Sequence, residues 1–144
     1  MCAHRLRWVG VAATVLLAVG GHAEQKAVFG EYAVHYTVFN ASFLRPEIAE
    51  RYGIVRGLDR ALANVSVLDA AGRAVEAPVT GSFRNLLGHV EPLRFRTVRQ
   101  GDSVYYLASL TYPHAEALRF EIVADLPGYG PATVTFQKTL YWEE

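Results

Sequence analysis

Leu118-Arg119-Phe120-Glu121-Ile122-Val123-Ala124-Asp125-Leu126, then Pro127-Gly128-Tyr129-Gly130-Pro131, then Ala132-Thr133-Val134-Thr135-Phe136-Gln137-Lys138-Thr139-Leu140-Tyr141-Trp142, is the stretch that decides the fold. In its first arm Leu118, Phe120, Ile122, Ala124 and Leu126 point one way, and Arg119, Glu121 and Asp125 point the other. In its last arm Val134, Phe136, Leu140 and Trp142 make an inward face broken only by Lys138. Thr133, Thr135, Gln137 and Thr139 face outward. Successive side chains of a strand alternate between its two faces. This order therefore predicts two strands, each with one dry and one wet side, joined by a turn rich in Pro and Gly.

The same period recurs upstream. In Val104 to Thr111, Val104, Tyr106, Ala108 and Leu110 share one face, and Tyr105, Leu107 and Ser109 share the other. Tyr105 and Tyr106 must then point to opposite sides. Gln100-Gly101-Asp102 makes a tight turn back to a strand over Leu93 to Arg99. Val75 to Leu87 is a longer β segment in which Gly81 marks a bulge or bend. Leu62 to Leu68 is a strand followed by a hairpin turn, Asp69-Ala70-Ala71-Gly72-Arg73. Phe29 to Phe39 is the first strand, with Tyr32, Val34, Tyr36 and Val38 on one face and Glu31, His35 and Thr37 on the other.

One segment breaks the pattern. Arg45-Pro46-Glu47-Ile48-Ala49-Glu50-Arg51-Tyr52-Gly53 reads as a short helix. Pro46 suits the first helical position, Glu47 and Glu50 suit the positive end of the dipole, and Gly53 suits the left-handed closure. Ile48 and Tyr52, four apart, share a face that packs on the sheet. About seven strands at spacings of roughly 8–12 residues predict an all-β, antiparallel, immunoglobulin-like β-sandwich with one short helix after the first strand. Residues 24–144 form a single domain, with no internal repeat and no linker.

The N-terminus has its own logic. Arg5 and Arg7 precede an uncharged apolar run from Trp8 to Val19, and Gly21-His22-Ala23 closes it with small residues at the positions a signal peptidase reads. This is the tripartite form of a secretory signal, so cleavage is expected after Ala23 and the periplasm is the expected compartment. The run is too short for a spanning helix, which needs roughly 18 apolar residues. Cys2 lies ahead of the apolar run, where it cannot serve as a lipid attachment site.

Cleavage would leave 121 of 144 residues and would turn 14 basic and 14 acidic residues into 12 and 14. Such a balance excludes the basic footprint of nucleic-acid binders and the polybasic patch of a stable membrane anchor. The only cysteine and the only methionine would leave with the signal. The domain must then hold itself by packing alone, without the disulfides on which many small secreted domains depend.

Several segments together resemble a known family. Asn40-Ala41-Ser42-Phe43-Leu44-Arg45-Pro46-Glu47-Ile48-Ala49, closing on Tyr52-Gly53-Ile54 and Arg56, looks like its first signature. Gly81 to Gly88, with Asn85-Leu86-Leu87, looks like the second. Tyr105-Tyr106-Leu107-Ala108 looks like the third, and Phe136-Gln137 with Tyr141 resembles the ending. The family is the group of short exported proteobacterial proteins known as domain of unknown function 4426. The resemblance spans nearly all of the chain after the signal. It implies a periplasmic β-sandwich, and it implies no activity, so no catalytic residue carries over.

Catalytic chemistry finds little support in the residues. Ser66, Ser82, Ser103 and Ser109 lie in no Gly-x-Ser-x-Gly elbow. His35, His89 and His114 lie on separate segments with no ligand spacing, and Glu31, on the same side of the strand as His35, is its best local partner. No cofactor is implied. The stronger signals are for binding. Tyr105, Tyr112, Tyr129, Tyr141 and Trp142 are candidates for an aromatic platform, although tyrosines also fill sandwich edges. Arg45 and Arg56 are candidates for an anionic partner, against a local salt-bridged surface with Glu47, Glu50 and Asp59. Asn85 and His35 complete the candidate set. The expected function is a non-catalytic binding or accessory module for an envelope protein or small ligand, with a hydrolase or a metal-handling protein as alternatives.

Overall fold

Phe83, Phe120 and Phe136 stand side by side across one sheet, and the register that aligns them fixes the architecture. Their rings stack with centroids 5.9 Å and 5.0 Å apart, and Tyr36 from the facing sheet continues the row at 4.7 Å from Phe136. The computed structural model describes residues 24–142. The predicted signal, residues 1–23, lies outside the described residues.

The described residues form nine strands: β1 (Gln25–Phe29), β2 (Tyr32–Asn40), β3 (Arg60–Leu68), β4 (Val79–Arg84), β5 (Val90–Leu93), β6 (Arg96–Gln100), β7 (Ser103–Thr111), β8 (Glu116–Leu126) and β9 (Gly130–Leu140). They form two antiparallel sheets, ordered β1-β2-β3-β7-β6 and β5-β4-β8-β9. The chain changes sheet after β3, after β5 and after β7. The fold is the all-β, immunoglobulin-like sandwich that the alternation predicts. Of the inward positions named for the β8–β9 hairpin, Leu118, Phe120, Ile122, Ala124, Leu126, Val134 and Leu140 are buried and Phe136 packs against them, whereas Trp142 is 46% exposed because β9 ends at Leu140 and the alternation ends with it. Arg119, Glu121 and Asp125 are exposed. Tyr106 is in the core, where its hydroxyl accepts a hydrogen bond from the Ala77 backbone at 2.8 Å, whereas Tyr105 is half-buried.

The helix α1 (Pro46–Arg51) follows a 3₁₀ turn at Ala41–Phe43. It covers the outer side of the five-stranded sheet through Phe39, Leu44, Ala49, Ile54 and Leu62, with Ile48 and Tyr52 packed against them as their spacing predicts. Gly53 takes a left-handed φ of 64° and closes the helix.

The strands number nine rather than about seven, for local reasons. The expected first strand is the second half of a hairpin, because Gly30, at a φ of 58°, turns the chain and places Glu31 in the bend rather than on a strand face. The helix therefore follows the second strand. The segment Val75 to Leu87 contributes only β4, since Asn85 to Gly88 forms a turn. Gly81 is no bulge: its pairing with Ile122 and Leu93 is continuous. A Cβ at that position would meet the Glu121 carbonyl oxygen at 2.8 Å, so the glycine is required by close backbone approach. The stretch Leu93 to Arg99 is cut at Arg94-Phe95, where the chain crosses between sheets. Asp69-Ala70-Ala71-Gly72-Arg73 is the predicted turn, with the Asp69 carboxylate accepting from the backbone N–H groups of Ala71 and Arg73 at 2.9 Å. Those bonds, the one from Arg73 first, hold the Asp69 carboxyl below its ordinary range.

Candidate functional site

The side of the four-stranded sheet opposite the phenylalanine row is polar and open. Strict alternation places Ser82 and Arg84 of β4, Arg119 and Glu121 of β8, and Thr135 and Gln137 of β9 on it. The register sets Arg84 opposite Arg119 and Arg119 opposite Gln137. Next to that row, Ser82 faces Glu121 and Glu121 faces Thr135. A shallow cavity of about 400 Å³ lies over these side chains. A second, of about 300 Å³, adjoins it and shares Arg84, Arg119 and Gln137, with Asn85, Leu86 and Gly88 on its other side.

Like charges directly opposite each other on adjacent strands oppose folding. Both arginines are exposed, and neither forms an ion pair within 4.0 Å among the described residues. Two guanidinium groups on neighbouring strands, with an amide and hydroxyls beside them, offer a forked set of donors suited to a carboxylate or phosphate.

The turn between β4 and β5 rises beside this pair. The Asn85 side chain accepts from the His89 N–H at 2.9 Å, and the Asn85 carbonyl accepts from Gly88 at 3.1 Å. Gly88 supplies the φ of 85°. The Glu116 carboxylate accepts from the Leu86 N–H at 3.1 Å. These bonds present Leu86 and Leu87 at 75% and 81% exposure.

The residues singled out from sequence do not form one site. Asn85 adjoins the arginine pair and builds the turn. Arg56 lies at the same end of the sandwich and donates to the Ser42 carbonyl at 2.9 Å. Arg45 is exposed just ahead of α1. His35 and Tyr105 lie on the outer side of the five-stranded sheet. The nearest acid to His35 is Glu24, at 3.6 Å, rather than Glu31. Tyr112 is only 2% exposed, and its hydroxyl donates to the Tyr141 carbonyl at 2.6 Å. The aromatic set divides. Tyr129 packs on Phe29 at one end, while Tyr141 and Trp142 flank His114 at the other, with centroids 6.0 Å and 5.6 Å away. Among the described residues no three His, Cys, Asp or Glu side chains gather as a metal would require.

Arg84, Arg119 and Gln137 escaped the sequence reading as a group. Arg119 and Gln137 were legible as outward residues, Arg84 carried no face assignment within the segment Val75 to Leu87, and only the register of β4, β8 and β9 makes the three neighbours.

The model of the family described as Domain of unknown function (DUF4426) matches residues 26–143. A crystal structure of a DUF4426 family protein from Pseudomonas aeruginosa PAO1 is similar, with 40% sequence identity and a TM-score of 0.76, covering 84% of this chain and 97% of that one. FetP of uropathogenic Escherichia coli strain F11, in its as-isolated form recombinantly expressed in the periplasm, shares the fold at 11% identity and a TM-score of 0.59, covering 85% and 97%. A copper-bound variant of FetP gives 11% and 0.55, covering 82% and 95%. A search of curated proteins finds no match. The match across residues 26–143 and the 40% identity to that crystal structure agree, and the chain belongs to the DUF4426 family.

Proposed function

We propose that residues 24–144 act in the periplasm as an exported, non-catalytic binding module whose outer four-stranded face captures an anionic group. The observation that carries this reading is the Arg84–Arg119 pair: two exposed guanidinium groups paired across strands with no carboxylate within 4.0 Å among the described residues. Such a pair costs stability when empty and gains a compensating partner when an anion bridges it. Export is supported by the tripartite start of the chain, and by the shared fold with FetP, which was obtained from periplasmic expression. The copper of the FetP variant belongs to that protein. Here His35 and His114 lie on different faces, and no ligand cluster among the described residues favours a metal role.

The test uses protein recovered from the cell envelope, its N-terminus read by mass spectrometry and expected at Glu24. Titration with inorganic phosphate is expected to show saturable binding that weakens with added salt. Replacing Arg119 with Gln removes one charge-assisted donor and is expected to weaken that binding about tenfold. Binding left intact by Arg119→Gln and Arg84→Gln, or an intact residue 1–23 segment in the envelope fraction, contradicts the proposal.

A further inference from the structure

We infer that the end of the sandwich beside the arginine pair docks on an anionic lipid surface, a reading that rests on the anion-binding role of Arg84 and Arg119. The ends of β2, β4, β7 and β9 and the starts of β3, β5 and β8 all meet at this end. The exposed large apolar side chains are not spread evenly. Val55, Leu58, Leu86, Leu87, Tyr141 and Trp142 lie here, whereas Val28 and Tyr129 lie towards the other end. Single exposed apolar residues need no explanation, but their concentration at one end of a soluble domain marks a contact surface.

These side chains are held, not loose. Leu86 and Leu87 ride on a turn fixed by Asn85, Gly88 and Glu116. Trp142 donates its indole N–H to the Tyr112 carbonyl at 2.9 Å and its backbone N–H to His114 Nδ1 at 2.9 Å. Leu86 and Leu87 lie beyond Arg84 past the end of β4, and Tyr141 and Trp142 lie beyond Leu140 past the end of β9, so apolar and aromatic side chains project past the strand ends with the guanidinium groups behind them, as suits a membrane interface that changes from apolar to anionic. The adjoining cavities of about 400 and 300 Å³ are shallow, so they expose an anion site without enclosing an acyl chain. That favours a headgroup on a continuous surface over an extracted amphiphile. With 12 basic and 14 acidic residues after the signal, the attraction is local to this end, and docking is reversible rather than a stable anchor.

Co-sedimentation of envelope-purified protein with vesicles tests this. Binding is expected to vesicles of phosphatidylglycerol and phosphatidylcholine, to be far weaker to phosphatidylcholine alone, and to fall with added salt. The double variant Leu58→Ser with Leu87→Ser, whose side chains are exposed and line neither cavity and whose fold is verified by its melting curve, is expected to lose about tenfold or more in vesicle affinity. It should keep the phosphate titration of the parent. Absence of sedimentation with the anionic vesicles, or sedimentation unchanged in the leucine double variant, overturns the lipid inference. If phosphate binding persists in that case, the anion-binding reading stands alone. If phosphate binding is absent as well, both fall.

Discussion

Asn40 shows how much of the architecture a single polar side chain can organise. It is the buried polar residue among those described, at 3% exposure, at the point where β2 ends and the 3₁₀ turn begins. Its Oδ1 accepts from the Ser42 N–H at 2.8 Å, and its Nδ2 donates to the Leu58 carbonyl at 2.8 Å and to the Tyr112 hydroxyl. The turn, the loop before β3 and the C-terminal segment are thereby tied together. Asparagine is required because the site needs an acceptor on one side and two donors on the other. Asn40→Asp keeps the acceptor but turns oxygen towards a carbonyl oxygen inside the protein. It is expected to destabilise by about 3 kcal/mol or more, measured by urea unfolding at neutral pH, and Asn40→Ala by somewhat less. An aspartate variant as stable as the parent would contradict this role. Asn40 was visible in sequence as part of a family signature, but its task was not. Its partners Leu58 and Tyr112 lie 18 and 72 residues away, and nothing local marks Tyr112 as buried rather than exposed.

Among the elements, the edge strands carry the risk of a sandwich, because unpaired backbone groups invite another chain. In the four-stranded sheet, β5 is only four residues long and contains Pro92, which removes a donor. The other edge, β9, is 11 residues long and cannot rely on shortness. Lys138 supplies its protection. It interrupts the inward face and donates from Nζ to the Val38 carbonyl of the opposite sheet. An inward charge on an edge strand resists pairing with a second copy. Burial pushes the Lys138 ammonium below its ordinary value of 10.5. The unfolded chain then holds the proton more tightly, so stability rises with pH between the folded value and about 10.5, and the cost of burying the charge is fully present below that window. Lys138→Met is expected to abolish this alkaline rise in the melting temperature and to increase concentration-dependent light scattering. A variant that keeps the rise and stays monodisperse would refute the assignment. The strands with full alternation, β7 to β9, were legible from sequence because one face is core along their length. β1 was not: most of its five residues remain accessible, so burial imposes no pattern on it. The Asn85–Gly88 turn was hidden inside an apolar run, since Leu86 and Leu87 read as strand residues although the structure holds them out in solvent.

At the scale of the molecule, the two sheets and the helix divide their tasks. The five-stranded sheet is covered on its outer side in part by α1, and the phenylalanine row fills the space between the sheets. The four-stranded sheet keeps its outer face open, and the like-charged pair on that face is its least self-sufficient feature. The fold class was legible in the sequence, because periodicity is a property of the chain alone. The face was not, because Arg84 and Arg119 become neighbours only through a pairing that joins strands separated by two sheet crossings. The central claim is that this face is where the protein binds. Amide chemical shifts of envelope-purified, isotopically labelled protein, followed during titration with inorganic phosphate, test it most directly. The account predicts saturable shifts grouped around Ser82 to Asn85, Arg119 to Glu121 and Thr135 to Gln137, with the helix side silent. Shifts centred on Arg45, Arg51 and Arg56, or no saturable shift on the four-stranded sheet, would contradict it.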